Sequence, residues 1–82
     1  MAKIAVISCI LENPKENQQD FNDIVADFRG SIRGRMGLPF EEGISIISLT
    51  VIGDKDDIDE LSHKLEKVNG VTVNTTIAKK EI

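Results

Sequence analysis

The chain has 82 residues, of which 40% are hydrophobic and 29% are charged, and its formal net charge is −4. This balance predicts a single small globular domain over residues 1–82, whose own core is only marginally stable. The negative charge argues against non-specific binding to nucleic acid and to anionic membrane surfaces. No apolar stretch is long enough to span a bilayer and no signal peptide is recognisable, so we expect a cytoplasmic protein.

The first part of the chain predicts a strand followed by a helix. Residues 3–11 are rich in Ile and Val and predict the first strand. Asn13, Pro14 and Glu16 have the types and the spacing of a helix start with a capping box. Gly30 is predicted to end this helix in the left-handed conformation. The apolar positions of the helix recur at helical spacing and are Phe21, Ile24, Val25 and Phe28.

The rest of the chain predicts two strands, a second helix and a last strand. Residues 31–38 alternate in hydropathy and residues 44–52 are mostly apolar, so they predict strands two and three, joined by a connector at residues 39–43. The second helix begins at an acidic cluster and closes at Gly70. Residues 71–77 alternate again and predict the fourth strand, before a short polar tail. The acidic cluster is Asp54, Asp56 and Asp57, and the apolar stripe of the second helix is Ile58, Leu61, Leu65 and Val68.

The order strand–helix–strand–strand–helix–strand predicts a ferredoxin-like α+β fold. Right-handed crossovers place both helices on one face of a four-stranded antiparallel sheet. The first and third strands are central in this topology and apolar on both faces, so a second copy of the chain is predicted to cover the other face, in a homodimer or a higher homo-oligomer. Scattered exposed apolar residues without a partner are the alternative. The residues assigned to the interface are Ile7, Cys9, Ile47, Leu49 and Val51.

Residues with catalytic or metal-binding chemistry do not form a recognisable site. The single cysteine, Cys9, lies inside a strand and is interpreted as a small core residue. The single histidine, His63, follows Asp59 by four residues, which indicates a weak surface pair. The loop after the first strand has neither the arginine and glycines of an acyl-phosphate hydrolase nor the paired cysteines of a metallochaperone. We therefore predict a protein that is not an enzyme and that has no cofactor and no metal site.

Two arginines form the most unusual polar feature of the sequence. Arg33 and Arg35 lie two residues apart on a predicted strand and are therefore expected to share a face. Gly34 and Gly37 would let a ligand or another backbone approach closely. Two neighbouring guanidinium groups suit a small anionic ligand, so Arg33, Arg35 and Gly37 are the candidate ligand-binding residues. The alternative is an edge strand that charge protects against unwanted pairing.

Two segments in the middle of the chain carry a family resemblance. Residues 33–39 read Arg-Gly-Arg-Met-Gly-Leu-Pro, and residues 43–49 read Gly-Ile-Ser-Ile-Ile-Ser-Leu. With these segments the sequence closely resembles a family of small bacterial proteins described as iron-only hydrogenase system regulators. The resemblance covers nearly the whole chain. Its further segments are Glu12-Asn13, Lys64-Leu65 and Asn69-Gly70-Val71.

The resemblance implies an ACT-like domain, also similar to the C-terminal domain of nickel-responsive repressors, that occurs beside iron-only hydrogenase and its maturation proteins. The nickel-binding histidines of those repressors are not matched, and Asn13-Pro14-Lys15 does not match the glycine-bearing loop of amino-acid-binding ACT domains. No DNA-binding segment is recognisable, so control of transcription would act through a partner protein. The expected function is a homo-oligomeric, ligand-sensing regulatory module. The alternative is a protein-interaction adaptor in hydrogenase maturation with no ligand of its own.

Overall fold

The computed structural model describes residues 2–40 and 42–82. Four strands form one antiparallel sheet in the order β2-β3-β1-β4, and the two helices pack on one of its faces. The predicted ferredoxin-like α+β fold is therefore confirmed. The elements in chain order are β1 (Lys3–Glu12), α1 (Pro14–Ala26), β2 (Ser31–Phe40), β3 (Ile44–Gly53), α2 (Lys55–Glu66) and β4 (Val71–Glu81).

The two faces of the sheet have different surroundings. The face under the helices, here the helix face, carries the alternate residues of β1 and β3 that are buried. The opposite face, here the open face, carries the residues between them, most of which are exposed or partly exposed. The core forms where the helices meet the helix face. Its strand members are Ala5, Ile7, Cys9, Leu11, Ile47, Leu49 and Val51, and its helix members are Phe21, Val25, Ile58, Leu61 and Leu65.

The five residues predicted to form a subunit interface lie in this core. Ile7, Cys9, Ile47, Leu49 and Val51 are at most 6% exposed in the single chain. They point to the helix face, where α1 and α2 cover them, so they are not available to a second subunit. Their assignment to an interface is corrected on this ground. The homo-oligomer itself stays a prediction, and it has to use other residues.

Helix α1 begins without the predicted capping box. Asn13 has the left-handed angles φ 52° and ψ 58°, and its side chain makes no capping hydrogen bond. Its carbonyl oxygen instead accepts hydrogen bonds from the backbone N–H groups of Glu16 and Asn17. The Asn17 side chain, which is buried, donates from Nδ2 to the Glu12 carbonyl oxygen at 3.1 Å. A side chain inside the helix, and not Asn13, therefore ties the start of α1 to β1.

Gly30 has a packing role and does not end helix α1. The helix ends at Ala26, and Gly30 does not have a positive φ. A Cβ atom at this position would collide with the Ile52 carbonyl oxygen and would lie 2.6 Å from the Phe28 ring. The prediction of a left-handed helix end is therefore wrong. Glycine is needed here because the chain passes close to β3.

Strands β2 and β4 are longer than predicted. Strand β2 continues through Pro39, which is tolerated because β2 lies at the edge of the sheet. Strand β4 includes most of the predicted polar tail and reaches Glu81, which pairs with Lys3 of β1. The polar composition of residues 79–81 did not predict a strand. These residues nevertheless belong to β4, which pairs with the central strand β1. Glu41, in the predicted connector, lies outside the described residues.

Gly70 lies where the loop after α2 meets the end of β1. It has a φ of +80°, and a Cβ atom there would lie 2.8 Å from the Glu12 carbonyl oxygen and 3.2 Å from Asn17 Nδ2. We expect Gly70→Ala to lower the free energy of unfolding by about 1–3 kcal/mol, because both the backbone angle and the neighbouring atoms oppose a side chain. Urea denaturation measures this change.

Gly43 provides the matched control for that substitution. Its φ of +70° is similar, but no heavy atom lies within 4 Å of the Cβ position. Gly43→Ala therefore tests the backbone angle alone and is expected to cost less than Gly70→Ala. Equal losses at the two positions would show that the crowding around Glu12 has no energetic consequence.

Candidate functional site

The open face carries a contiguous apolar surface on the side of β2. Leu38, Ile46 and Ile10 lie side by side across β2, β3 and β1, because Ile46 is paired with both of the others. Met36 and Phe40 lie before and after Leu38 on the same face of β2. Their exposed fractions are 63% for Met36, 50% for Leu38, 55% for Phe40, 36% for Ile46 and 45% for Ile10. We call these five residues the open-face patch.

Polar residues border the open-face patch. The next row across the sheet contains Ser48, Ser8 and Asn74, which are paired with one another. Thr72 and Thr76 lie on the same face of β4 and are exposed. The open face is thus apolar on the side of β2 and polar on β4, and the exposed Val6 of β1 lies beyond the polar row. An exposed apolar surface with a polar border is typical of an interaction site.

A β-bulge separates the two arginines of the predicted ligand site. The register of β2 against β3 shifts within residues 32–34, so the regular alternation predicted for this strand is wrong. Arg33 Nε donates to Ser31 Oγ at 3.1 Å, within its own strand. Arg35 is paired with Leu49 and points to the helix face. The two guanidinium groups have different partners and do not form one site.

Arg35 reaches helix α1 and contacts two residues there. Its Nη2 atom donates to Asn22 Oδ1 at 2.7 Å, and its guanidinium carbon lies 5.8 Å from the centre of the Phe21 ring. Phe21 is fully buried and Asn22 is partly buried. Gly37, the next residue on this face of β2, has no heavy atom within 4 Å of its Cβ position. We call Arg35, Asn22, Phe21 and Gly37 the Arg35 shelf.

The structure therefore keeps two of the three predicted ligand-binding residues together. Arg35 and Gly37 lie on one side of the strand, and Arg33 has its own partner elsewhere. Asn22 was not predicted from the sequence, because the contact between residues 22 and 35 is tertiary and has no signature in local spacing. Phe21 was predicted only as one of the apolar positions of the first helix.

The charged residues of α2 are paired with one another. Lys55 Nζ lies 2.7 Å from Asp59 Oδ2, and Lys64 Nζ lies 2.8 Å from Glu60 Oε1. The hydrogen bond to Asp59 raises the pKa of Lys55, and the hydrogen bond from Lys64 lowers the pKa of Glu60. Asp59 is thus bonded to Lys55, and the predicted pair of Asp59 with His63 is not the one formed.

A cleft of about 270 Å³ lies between the end of α1 and helix α2. Asp27 and Arg29 line one side, and Asp57, Glu60 and Lys64 line the other. Charges of both signs are interspersed around this cleft, and Glu60 and Lys64 already neutralise each other. The cleft therefore lacks a concentration of one charge that would favour an ionic ligand.

Cys9 has no reactive environment. Its side chain is 1% exposed, and burial raises the pKa of its thiol to about 11. The thiolate fraction at neutral pH is therefore about a hundredfold smaller than for an ordinary thiol. A thiol reagent is expected to label the folded protein far more slowly than the protein unfolded in guanidinium chloride. Similar rates in the two states would contradict the buried position of Cys9.

Within residues 2–40 and 42–82, no three His, Cys, Asp or Glu side chains are grouped so that they could hold a metal ion. In the same part of the chain, no helix has the length and apolar character needed to cross a membrane.

Residues 3–75 match the family TM1266-like, described as "Iron-only hydrogenase system regulator, putative". The chain belongs to this family. Its structure is similar to that of the uncharacterized protein TM1266 from Thermotoga maritima, with a TM-score of 0.89 and 30% sequence identity over 96% of this chain and 100% of that chain. The resemblance seen in the sequence is confirmed. No curated protein sequence matches the chain significantly.

ACT domains share this fold. The ACT domain from GTP pyrophosphokinase of Chlorobium tepidum matches with a TM-score of 0.81 and 24% identity, over 93% of this chain and 100% of that chain. The C-terminal domain of the MgtC protein from Mycobacterium tuberculosis matches with a TM-score of 0.68 and 10% identity, over 98% of this chain and 92% of that chain. At these identities the similarity concerns the fold alone, and it confirms the ACT-like assignment.

Proposed function

We propose that this family member is a homo-oligomeric regulatory module of the iron-only hydrogenase system, most simply a twofold dimer, that acts by binding and not by catalysis. Membership of the regulator family supports the regulatory role. The open-face patch is the observation that carries the proposed assembly. The proposal places the protein in the cytoplasm, without direct contact to membrane or nucleic acid, in keeping with a net charge of −4.

The chemistry of the open-face patch suits a second copy of the same chain. All five of its residues are uncharged, so two acidic subunits can meet there without bringing like charges together. Burial of apolar surface stabilises association by roughly 25 cal/mol for each Å² removed from water. A twofold axis through the patch would place the apolar residues of one copy against the apolar residues of the other copy.

The size of the open face also suits a dimer. Strands of this length, at roughly 3.3 Å per residue and about 4.8 Å between strands, give a flat area on the order of 600 Å² before the relief of the side chains is counted. A standard interface buries about 800 Å² on each partner. Two copies packed through the whole face therefore reach the lower end of the range of stable complexes, whereas contact through the open-face patch alone would bury less.

The proposed module responds to a small anionic ligand. Arg35 is the cation that supports this part of the proposal, because a helix residue holds its guanidinium group in place beside open space. Arg33 is not included, since its guanidinium group is bonded within its own strand.

The second candidate function is an adaptor in hydrogenase maturation. It is favoured by three strongly exposed apolar residues, Met36, Leu38 and Phe40, which lie on an edge strand that another protein can approach. In this case a maturation protein, and not a second copy, would cover the open-face patch.

The oligomeric state separates the two candidates. Native mass spectrometry and light scattering across the micromolar range are expected to give a dimer or a higher homo-oligomer. A stable monomer at high micromolar concentration would contradict the proposed assembly. Co-purification of that monomer with hydrogenase maturation proteins, without a response to ligands, would support the adaptor.

The regulatory role itself is tested in the native cell. Deletion of the gene is expected to change the level of hydrogenase transcript or the hydrogenase activity, and the wild-type gene is expected to restore it. Unchanged transcript and activity in the deletion strain would contradict a role in this system.

A further inference from the structure

Arg35 is held in place by neutral groups. Asn22 Oδ1 accepts its hydrogen bond at 2.7 Å, and the Phe21 ring lies 5.8 Å from the guanidinium carbon. Neither partner carries a charge that could neutralise the arginine. Among the residues that the structure describes, Arg35 takes part in no salt bridge. Its charge is therefore available to another group.

Three lysines, unlike Arg35, have a carboxylate partner. Lys3, Lys55 and Lys64 are each paired with an Asp or a Glu, and the chain has 14 acidic residues in all. Arg35 differs from these three lysines because its side-chain contacts are with an amide and an aromatic ring. A guanidinium group has five N–H donors, and the bond to Asn22 uses one of them.

The surface beside Arg35 is open. All residues of β2 other than Ile32 are exposed, so helix α1 does not cover the strand here. The Cβ position of Gly37 points into space that no heavy atom occupies within 4 Å. A small molecule can therefore approach the remaining donors of Arg35 along a flat stretch of backbone.

The side-chain order of Arg35 also lowers the cost of binding. A free arginine loses rotamer entropy when it binds an anion, and a guanidinium group that already makes a hydrogen bond to a neighbouring side chain loses less. Because Phe21 is fully buried, the position of the guanidinium group is tied to the core of the domain. An anion bound to Arg35 would therefore be linked to α1 as well as to β2, because Arg35 lies on β2 and contacts α1.

We infer that the Arg35 shelf binds a small oxyanion, a carboxylate or a phosphate group, which accepts hydrogen bonds from Arg35 while the rest of the ligand lies over Gly37. The inference rests on the proposed regulatory function and gives the chemical class of its ligand. Carboxylates and phosphates both match the fork of a guanidinium group. The two sources are separated by the choice of probe.

Nuclear magnetic resonance titrations with sodium benzoate and with inorganic phosphate test the inference. At least one probe is expected to shift the Arg35 Nε–H and Gly37 N–H signals in a saturable manner, and the probe that does so identifies the ligand class. Arg35→Gln is expected to weaken binding by about tenfold or more, because it removes a charge-assisted hydrogen bond.

Arg33→Gln is the matched control, since it removes the same charge from the same strand. It is expected to change the affinity by less than about twofold, because long-range attraction to an exposed charge is screened by salt. Equal weakening by the two variants would overturn the inference in favour of a general effect of charge. The absence of saturable shifts with both probes would also overturn it.

Gly37→Val tests the place of the ligand independently of charge. Valine is favoured in strands, and its side chain would enter empty space, so thermal stability is expected to be unchanged or higher. Binding of the probe is nevertheless expected to weaken, because the new side chain occupies the shelf. Unchanged affinity in Gly37→Val would contradict a ligand that lies over Gly37.

Light scattering on the same samples separates this inference from the proposed assembly. An oligomer that binds neither probe would overturn the oxyanion site and leave the assembly standing. A monomer that binds a probe with loss on Arg35→Gln would overturn the assembly and support the site.

Discussion

Replacing Leu49 with alanine is expected to lower the free energy of unfolding by about 2–5 kcal/mol. Leu49 lies on the helix face of β3, is 0% exposed and belongs to the core between the sheet and the two helices. Its removal leaves a cavity that the neighbouring side chains fill only in part. For a domain of this size, such a loss is a large fraction of the total stability. Urea denaturation followed by circular dichroism measures it.

Ile46 on the same strand is the matched control. It points to the open face and is 36% exposed. At a protein concentration low enough for the wild type to be monomeric, Ile46→Ala is expected to cost less than about 1 kcal/mol, because little buried volume is removed. The low concentration is needed since assembly would add to the apparent stability. A larger loss for Ile46→Ala than for Leu49→Ala would mean that the two faces are assigned the wrong way round.

The Leu49 and Ile46 variants test which residues of β3 point to the helices. The sequence alone did not predict this correctly. The order of strands and helices was predicted correctly because hydropathy patterns are local, and the right-handed crossover rule then leaves few topologies. The same rule places both helices on one side of the sheet, but it does not say which alternate residues point to that side. Because β1 and β3 are apolar on both faces, their patterns gave no further help, and Ile7 and Leu49 were placed at an interface.

The candidate ligand site was predicted in part for a different reason. Arg35 and Gly37 both follow the bulge in β2, so they still share one face of the strand after the register shift. Arg33 lies within the shifted segment, and one extra residue is enough to break its alternation with Arg35. The contact of Arg35 with Asn22 joins residues 13 positions apart, and such a contact depends on the packing of α1 beside the sheet.

The ends of α1 show how packing overrides local propensity. Asn13 has the residue type of a helix cap but a left-handed backbone, and its N–H donates to the Gly43 carbonyl oxygen at 2.9 Å. This bond joins the start of α1 to the turn between β2 and β3. The backbone of Asn13 therefore makes a tertiary contact. The Asn17 side-chain amide donates a hydrogen bond to the end of β1. Short-range rules identified the helix but not the way in which its start is fixed.

A negative charge in the open-face patch is expected to have the largest effect on assembly. Ile46→Asp would place a carboxylate between Leu38 and Ile10, its neighbours across the sheet. In a twofold dimer each copy would bury such a group without a cation partner, so we expect the dissociation constant to rise about a thousandfold or more. Light scattering at a concentration where the wild type is dimeric measures this change. Circular dichroism is expected to show an intact monomer, because Ile46 lies outside the core.

Thr76→Asp is the matched control on the polar side of the same face. Thr76 is exposed on β4, an edge strand on the opposite side of the sheet from β2. If the patch alone forms the contact, a carboxylate there stays in water and the dissociation constant changes little, since exposed charges interact weakly. Equal dissociation by both variants would mean that the contact extends across the whole open face. A dimer that survives Ile46→Asp would mean that copies of the chain meet elsewhere, for instance through the exposed edges of β2 or β4.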